Sequence, residues 1–197
     1  MNAHQLGACL YVPAIHPQLA AIARGEKLSH IRSVIYCTED SVAASDLPRA
    51  LEQLAASLNE IPANCPRNRF IRLRDPATMQ RVLKMPHIER IHGFVLPKIS
   101  ADNLDDYAAL RDTPWQLMPT LESADTFLES AMLRLRDQLD RDWRAQILCL
   151  RIGGNDLLGQ LRLRRPRDTT LYATPIGNVI DRLVGIYKPN GYHLSAP

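Results

Sequence analysis

Two carboxylates and a guanidinium stand where this sequence can most easily assemble a reactive site. Glu122 follows the apolar stretch ending Leu117-Met-Pro119, and Asp156 follows the next one, Ile147 to Ile152. If both stretches are parallel strands, their ends lie ~4.8 Å apart, and the two acids could share one hard cation completed by water and substrate oxygens. The same acids could instead cap the helices that follow, by accepting backbone N–H groups. Arg72 ends another apolar run and could fork onto a carboxylate or carbonyl oxygen; Glu39, Asp40 or Asp75 could also hold it in an ion pair. Glu39-Asp40 could supply a base or support a metal's waters, or could be first-turn acids placed by a helix dipole. Gly153-Gly154 removes side chains where backbone would approach a ligand closely, or simply makes a turn. Lys98 follows Pro97, and nothing in its sequence neighbourhood marks it for covalent work.

These residues share one kind of position, the end of a strand, and the elements that would place them there follow a regular pattern. Short apolar runs alternate with helical ones, the mark of repeated βα units around a parallel sheet. Candidate strands are Ala8 to Val12, Ser33 to Cys37, Arg69 to Leu73, His92 to Leu96, Gln116 to Met118 and Gln146 to Ile152. Asp46 with Pro48, and Asp75 with Pro76, combine an N-cap with a proline in the first turn. Ser100 before Ala101 to Leu110, and Ser123 before Ala124 to Leu139, look like two further helix starts. Leu51, Leu54, Ala55 and Leu58 share one helical face; so do Leu128, Met132, Leu135 and Leu139, and later Ile176, Val179, Ile180 and Leu183. Gly191 to Pro197 reads as a seventh strand. No linker or repeat beyond the βα period divides the chain, so residues 1–197 read as a single domain.

Composition narrows the partners. The 197 residues carry 24 Lys and Arg against 21 Asp and Glu, a formal +3 that is too slight to imply nucleic acid or an anionic membrane. No stretch approaches the ~20 apolar residues of a membrane span, and the first ten residues lack a secretory signal pattern. Cys9, Cys37, Cys65 and Cys149 show no metal-site spacing and read as reduced thiols of a cytoplasmic protein. Arg162, Arg164, Arg165 and Arg167 could clamp the phosphates of CoA or another polyanion, or form a solvated loop over a subunit interface. His87, His92 and His193 have no paired ligand spacing and read as structural histidines.

Six segments, in order, resemble the citrate lyase β-subunit-like family. They are Leu10-Tyr-Val-Pro13, Val34-Ile-Tyr-Cys-Thr-Glu-Asp40, Phe70-Ile-Arg72, Gly93-Phe-Val-Leu-Pro-Lys98, Met118-Pro-Thr-Leu-Glu122 and Gly153-Gly-Asn-Asp156-Leu. The family sits in the wider group of malyl-CoA and hydroxymethylglutaryl-like lyases and class II aldolases. The chain is most similar to a bacterial carbon–carbon bond lyase branch linked to tellurium-resistance gene clusters. The resemblance implies an α/β fold, a TIM (β/α)8-type barrel, and a Mg²⁺-dependent lyase acting on carboxylate or acyl-CoA substrates. It further implies that Glu122 and Asp156 ligate Mg²⁺, that Arg72 contacts the substrate's carboxylate or carbonyl, and that Glu39 and Asp40 orient waters or Arg72. Gly153 and Gly154 would line the substrate, Lys98 would lie on the rim, and the protein would form trimers or larger homo-oligomers.

Such chemistry needs no covalent residue. Breaking a carbon–carbon bond beside a carbonyl leaves enolate charge, which a cation and a fixed guanidinium can stabilise in a site shielded from water. The sequence departs from the family in three places. Asn155 replaces an acid that often precedes the metal-binding Asp, and Arg72-Leu-Arg74 replaces Arg-Val-Asn. The last part of the barrel, which in relatives often supplies an acid/base residue and subunit contacts, has no counterpart. A closed barrel has eight strands and typically ~250 residues. The expectation is therefore a barrel truncated after about seven strands, either a lyase whose site is completed from elsewhere or a non-catalytic binding or scaffold member of the fold.

Overall fold

The structure is a computed structural model that describes residues 1–62, 65 and 67–195. Two compact units make up the chain, Met1–Leu96 and Pro97–Pro197. In the first, strands β1 (Cys9–Pro13), β2 (Ser33–Cys37), β3 (Asn68–Arg72) and β4 (Gly93–Leu96) pair in parallel and in sequence order. Helices α1 (Leu19–Ala23), α2 (Leu47–Asn59) and α3 (Pro76–Val82) form the crossovers. All of β2 and β4 is buried, as expected for parallel strands covered on both faces. The α2 face expected from spacing is present, with Leu51, Leu54 and Leu58 buried.

The two proline-started helices differ at their caps. Asp75 Oδ1 accepts the Thr78 N–H at 2.6 Å, as its sequence suggests. Asp46 sits at the N-cap of α2 but makes no capping bond; its carboxylate pairs with Arg49 at 3.2 Å instead. Its backbone is already in the helical region, so its side chain is not aimed back at the first-turn N–H groups.

The second unit pairs β5 (Gln116–Leu121), β6 (Leu150–Ile152) and β7 (Leu194–Ser195) in parallel, again in sequence order. Between them lie α4 (Glu129–Asp142), α5 (Gly154–Gln160) and α6 (Ile176–Tyr187). Here several sequence boundaries need correction. The segment Gln146 to Ile152 is strand only from Leu150, because a 3₁₀ turn takes Arg144–Gln146 and the next residues make one isolated bridge, Leu117 to Ile147. β5 runs through Pro119 to Leu121, since a proline in this strand lacks only one donor. The 101–110 segment is 3₁₀ over Leu104–Leu110, and α4 starts at Glu129 after a 3₁₀ turn, Ala124–Phe127. Leu128 therefore leaves the apolar stripe and is 57% exposed, whereas Met132, Leu135 and Leu139 are fully buried. Ala196 and Pro197 of the expected seventh strand lie outside the described residues.

Across both units the described residues form seven parallel strands linked by helices, the repetition of a TIM-type α/β barrel. Among them no helix is long and apolar enough to cross a membrane. All four cysteines are free; Cys37 and Cys149 are buried and Cys9 and Cys65 half-buried.

Candidate active site

In the second unit the register of β5 on β6 decides which side chains meet. Thr120 pairs with Arg151 and Leu121 with Ile152, and the Gly153 N–H donates to the Leu121 carbonyl at 3.1 Å. Glu122 thus emerges beside Gly153. A Cβ at Gly153 would stand 2.2 Å from Glu122 Oε2 and 2.4 Å from Glu122 Cβ, so only glycine leaves room for that carboxylate. Glu122 is 3% exposed, and its Oε1 accepts the backbone N–H of Lys98 at 3.1 Å. Lys98 holds a left-handed backbone (φ 51°), a strained conformation for a residue with a Cβ, and it points this N–H at the acid.

Asp156 lies in the first turn of α5, three residues past its N-cap, Gly153. The helix has no side-chain cap, and Asp156 Oδ2 is buried without a hydrogen-bond partner among the described residues. Among the described residues the capping alternative is thus not realised at Asp156. A buried carboxylate oxygen without a donor is costly, and an ordered water or a cation would offset it. Among the described residues no three His, Cys, Asp or Glu side chains cluster as a metal cage. A two-carboxylate site fits a hard divalent ion such as Mg²⁺, which keeps several waters and is usually held by one or two carboxylates plus substrate oxygens.

Gly153 and Gly154 are both closely packed against the chain's own side chains. Both clear space for the chain's own side chains, Gly153 for Glu122 and Gly154 for Leu171, whose Cδ2 would lie 2.3 Å from an added Cβ. Arg151 carries no role in the sequence reading. It is 5% exposed, in register with Thr120, and so on the sheet face that Glu122 extends. The available signal is a charged residue in the middle of the apolar run Leu150-Arg-Ile152.

In the first unit Arg72 closes β3. Its Nη2 contacts Glu39 Oε2 at 2.6 Å and its Nη1 contacts Asp40 Oδ2 at 3.0 Å. Its guanidinium lies 5.7 Å from the Tyr11 ring centroid, within cation–π range. Arg72 and Glu39 are both buried, whereas the Asp40 carboxylate is 52% exposed. Glu39 Oε2 also accepts the Asp40 N–H at 3.1 Å, so one acid holds both the guanidinium and the neighbouring loop. The ion-pair and ligand-contact readings of Arg72 are compatible, because a fork fixed by two acids is a fork already oriented. Asp75 takes no part; it caps α3. Arg74, the departure from Arg-Val-Asn, donates to the carbonyls of Thr38 and Glu39, each at 3.2 Å, and to that of Val42. It fastens the loop that carries Glu39 and Asp40.

The basic segment 161–170 is exposed almost throughout, and the side chains of Arg162, Arg164, Arg165 and Arg167 have no hydrogen bond or ion pair among the described residues. It is a solvated loop in this chain.

Comparison with known proteins supports the same fold. Malate synthase of Haloferax volcanii, in its magnesium/glyoxylate complex, is 19% identical with a TM-score of 0.69, over 95% of this chain and 62% of that one. The chain thus spans less than two thirds of the malate synthase length. The citrate lyase beta subunit of M. tuberculosis, complexed with oxaloacetate and magnesium, is 17% identical with a TM-score of 0.66, over 100% of this chain and 80% of that one. The Mycobacterium tuberculosis protein CitE, in complex with magnesium, acetoacetate and coenzyme A, is 18% identical with a TM-score of 0.65, over 95% and 64%. At such identities the likeness concerns the fold alone. No curated protein sequence matches. The family described as C-C bond lyase of the TIM-barrel fold matches residues 1–197, the whole sequence, and the chain belongs to that family.

Proposed function

We propose that this chain is a Mg²⁺-dependent carbon–carbon bond lyase of citrate lyase β-subunit type, cleaving or forming a bond beside a carbonyl in a carboxylate or acyl-CoA substrate. The observation that carries the reading is the buried Oδ2 of Asp156, without a partner among the described residues, one strand-to-helix junction on from the buried Glu122. Relatives of the same fold hold magnesium with oxaloacetate, glyoxylate, or acetoacetate and coenzyme A. When bound, Mg²⁺ would supply Lewis-acid polarisation and charge compensation next to the bond that breaks.

The chain's own residues do the rest. Glu122 and Asp156 hold the cation, and the Lys98 N–H keeps one Glu122 oxygen fixed. Arg72 forks onto the substrate's carboxylate or carbonyl oxygen. Its fixed charge costs no reorganisation as negative charge develops. Glu39 is its positioning residue, and the half-exposed Asp40 is the acid placed to exchange a proton with solvent or substrate. We read residues 1–197 as one barrel-type domain that assembles with further copies, as trimers or larger. The four free thiols support a reducing, cytoplasmic setting.

Titration calorimetry with Mg²⁺ and oxaloacetate on the wild type and Glu122→Gln tests this reading. The expected result is magnesium-dependent oxaloacetate binding by the wild type, weakened at least about tenfold, ~1.4 kcal/mol, in the variant. Equal binding by both would remove the metal site. Turnover of a panel of hydroxyacyl-CoA substrates separates a lyase from a binding member of the fold.

A further inference from the structure

The strained turn beside Glu122 is held by hydrogen bonds on both sides of Lys98. Its φ of 51° is a conformation that a residue with a Cβ keeps only where its surroundings over-determine it. Lys98 is itself exposed, so burial does not fix it. Its N–H donates to Glu122 Oε1 at 3.1 Å. The next peptide, Lys98–Ile99, is gripped at both polar atoms: Asn103 Nδ2 donates to the Lys98 carbonyl at 2.9 Å, and the Ile99 N–H donates to the Thr120 carbonyl at 3.0 Å.

Asn103 stands where local pattern would give it another task. It precedes the 3₁₀ helix Leu104–Leu110, a place where asparagine ordinarily accepts a first-turn N–H, yet among the described residues its side chain makes no capping bond. The amide turns back along the chain instead. Oδ1 accepts the Ser100 N–H at 2.9 Å while Nδ2 reaches the Lys98 carbonyl. Only this orientation of the amide serves both partners, because the reverse sets N–H against N–H and carbonyl against carbonyl. The turn beneath it is anchored: the Leu104 N–H donates to the Ser100 carbonyl at 3.2 Å, and Ile99 and Leu104 are fully buried. A fixed turn thus presents one side-chain donor, and that donor sets the orientation of the peptide that follows Lys98.

We propose that Asn103 is a positioning residue for Glu122, acting through the Lys98 backbone. By holding the Lys98–Ile99 peptide it keeps Lys98 left-handed, and so keeps the Lys98 N–H aimed at Glu122 Oε1. Without the amide donor one of the two grips on that peptide is lost, the strained residue relaxes toward negative φ, and the N–H leaves the carboxylate. The consequence for cation binding rests on the reading of Glu122 as a magnesium ligand; the link from Asn103 to the Lys98 N–H does not.

Amide hydrogen exchange at Lys98 in the metal-free protein, followed by NMR, tests the link, and Mn²⁺ relaxation enhancement tests its consequence. Asn103→Ala should speed Lys98 exchange at least about tenfold and weaken Mn²⁺ binding about threefold or more. Asn103→Asp keeps an acceptor for the Ser100 N–H but sets a carboxylate oxygen against the Lys98 carbonyl. It should speed the exchange as much, and it decides the matter if Asn103→Ala fails to fold. Ser100→Ala removes the hydroxyl that accepts the Asp102 N–H at 3.3 Å in the same turn. It should leave Lys98 exchange and Mn²⁺ affinity unchanged, which separates positioning from a general loosening of the turn. Lys98 exchange at the wild-type rate in the Asn103 variants, or raised equally by Ser100→Ala, would overturn the proposal. A wild type that binds no Mn²⁺ refutes the metal reading instead, and Lys98 exchange then judges the positioning role by itself.

Discussion

Replacing Gly153 by Ala puts a methyl group where Glu122 now sits. The added Cβ would lie 2.2 Å from Glu122 Oε2 and 2.4 Å from Glu122 Cβ, and the second contact cannot be relieved by rotating the end of a side chain. Gly153 itself has φ −83°, so alanine meets no backbone strain and the effect is purely steric. Overpacking of this kind costs about 1–3 kcal/mol. Moving Glu122 also breaks its 3.1 Å bond from the Lys98 N–H, a charge-assisted contact worth about 1.5–3 kcal/mol. The expected total is about 2–4 kcal/mol, since the two losses overlap. The control is Gly154→Ala, whose Cβ meets Leu171 Cδ2 at 2.3 Å, the tip of a half-exposed leucine that can turn away. There the gain of about 0.5–1 kcal/mol from replacing a helical glycine offsets most of the cost. Urea unfolding measures the stability difference, and Mn²⁺ relaxation enhancement measures cation affinity. Gly153→Ala should lose at least about tenfold in affinity while Gly154→Ala keeps it. A folded Gly153→Ala protein that binds Mn²⁺ like the wild type, or is no less stable than Gly154→Ala, would refute the reasoning.

Two other predictions concern the first unit. Asp75→Ala removes the cap on Thr78 and should cost about 0.5–2 kcal/mol in urea unfolding; no loss would mean that Pro76 alone starts α3. Burial, and secondarily the charge of Arg69, lowers the pKa of His92 below its ordinary 6.5. The unfolded chain then binds the proton more readily, so stability is complete above about 6.5 and declines as pH falls from there toward the lower folded value. His92→Gln should flatten that decline in unfolding measured between about pH 7 and pH 5, and parallel curves for the two proteins would contradict it.

Strand ends were the most legible part of the sequence. Pro13, Glu39, Arg72, Lys98, Glu122 and Asp156 all stand at or just beyond the carboxyl ends of parallel strands, or in the turn that follows. That placement is readable because apolar runs and proline or acid punctuation are local signals. Leu128, the 3₁₀ segment at Leu104–Leu110 and the late start of β6 were not readable, because spacing alone does not separate a helix from a 3₁₀ turn or an extended lead-in. Arg151 is not legible in the sequence for the opposite reason. Its importance comes from register with Thr120, a contact 31 residues away that no local pattern carries.

By itself the sequence determined the order of strands and helices, the two acids and the arginine, and the family to which they belong. It left open whether Asp156 caps its helix, what holds Arg72 in place, and which side chains lie against the glycine pair. The tertiary structure decided those points. Asp156 Oδ2 has no hydrogen-bond partner among the described residues, Arg72 is oriented by Glu39 and Asp40, and Gly153 leaves room for Glu122. The physical reason is that each answer depends on which polar atoms are buried together and which have partners. Burial and pairing are properties of chains brought side by side by strand register, and residue order fixes that register only through the fold.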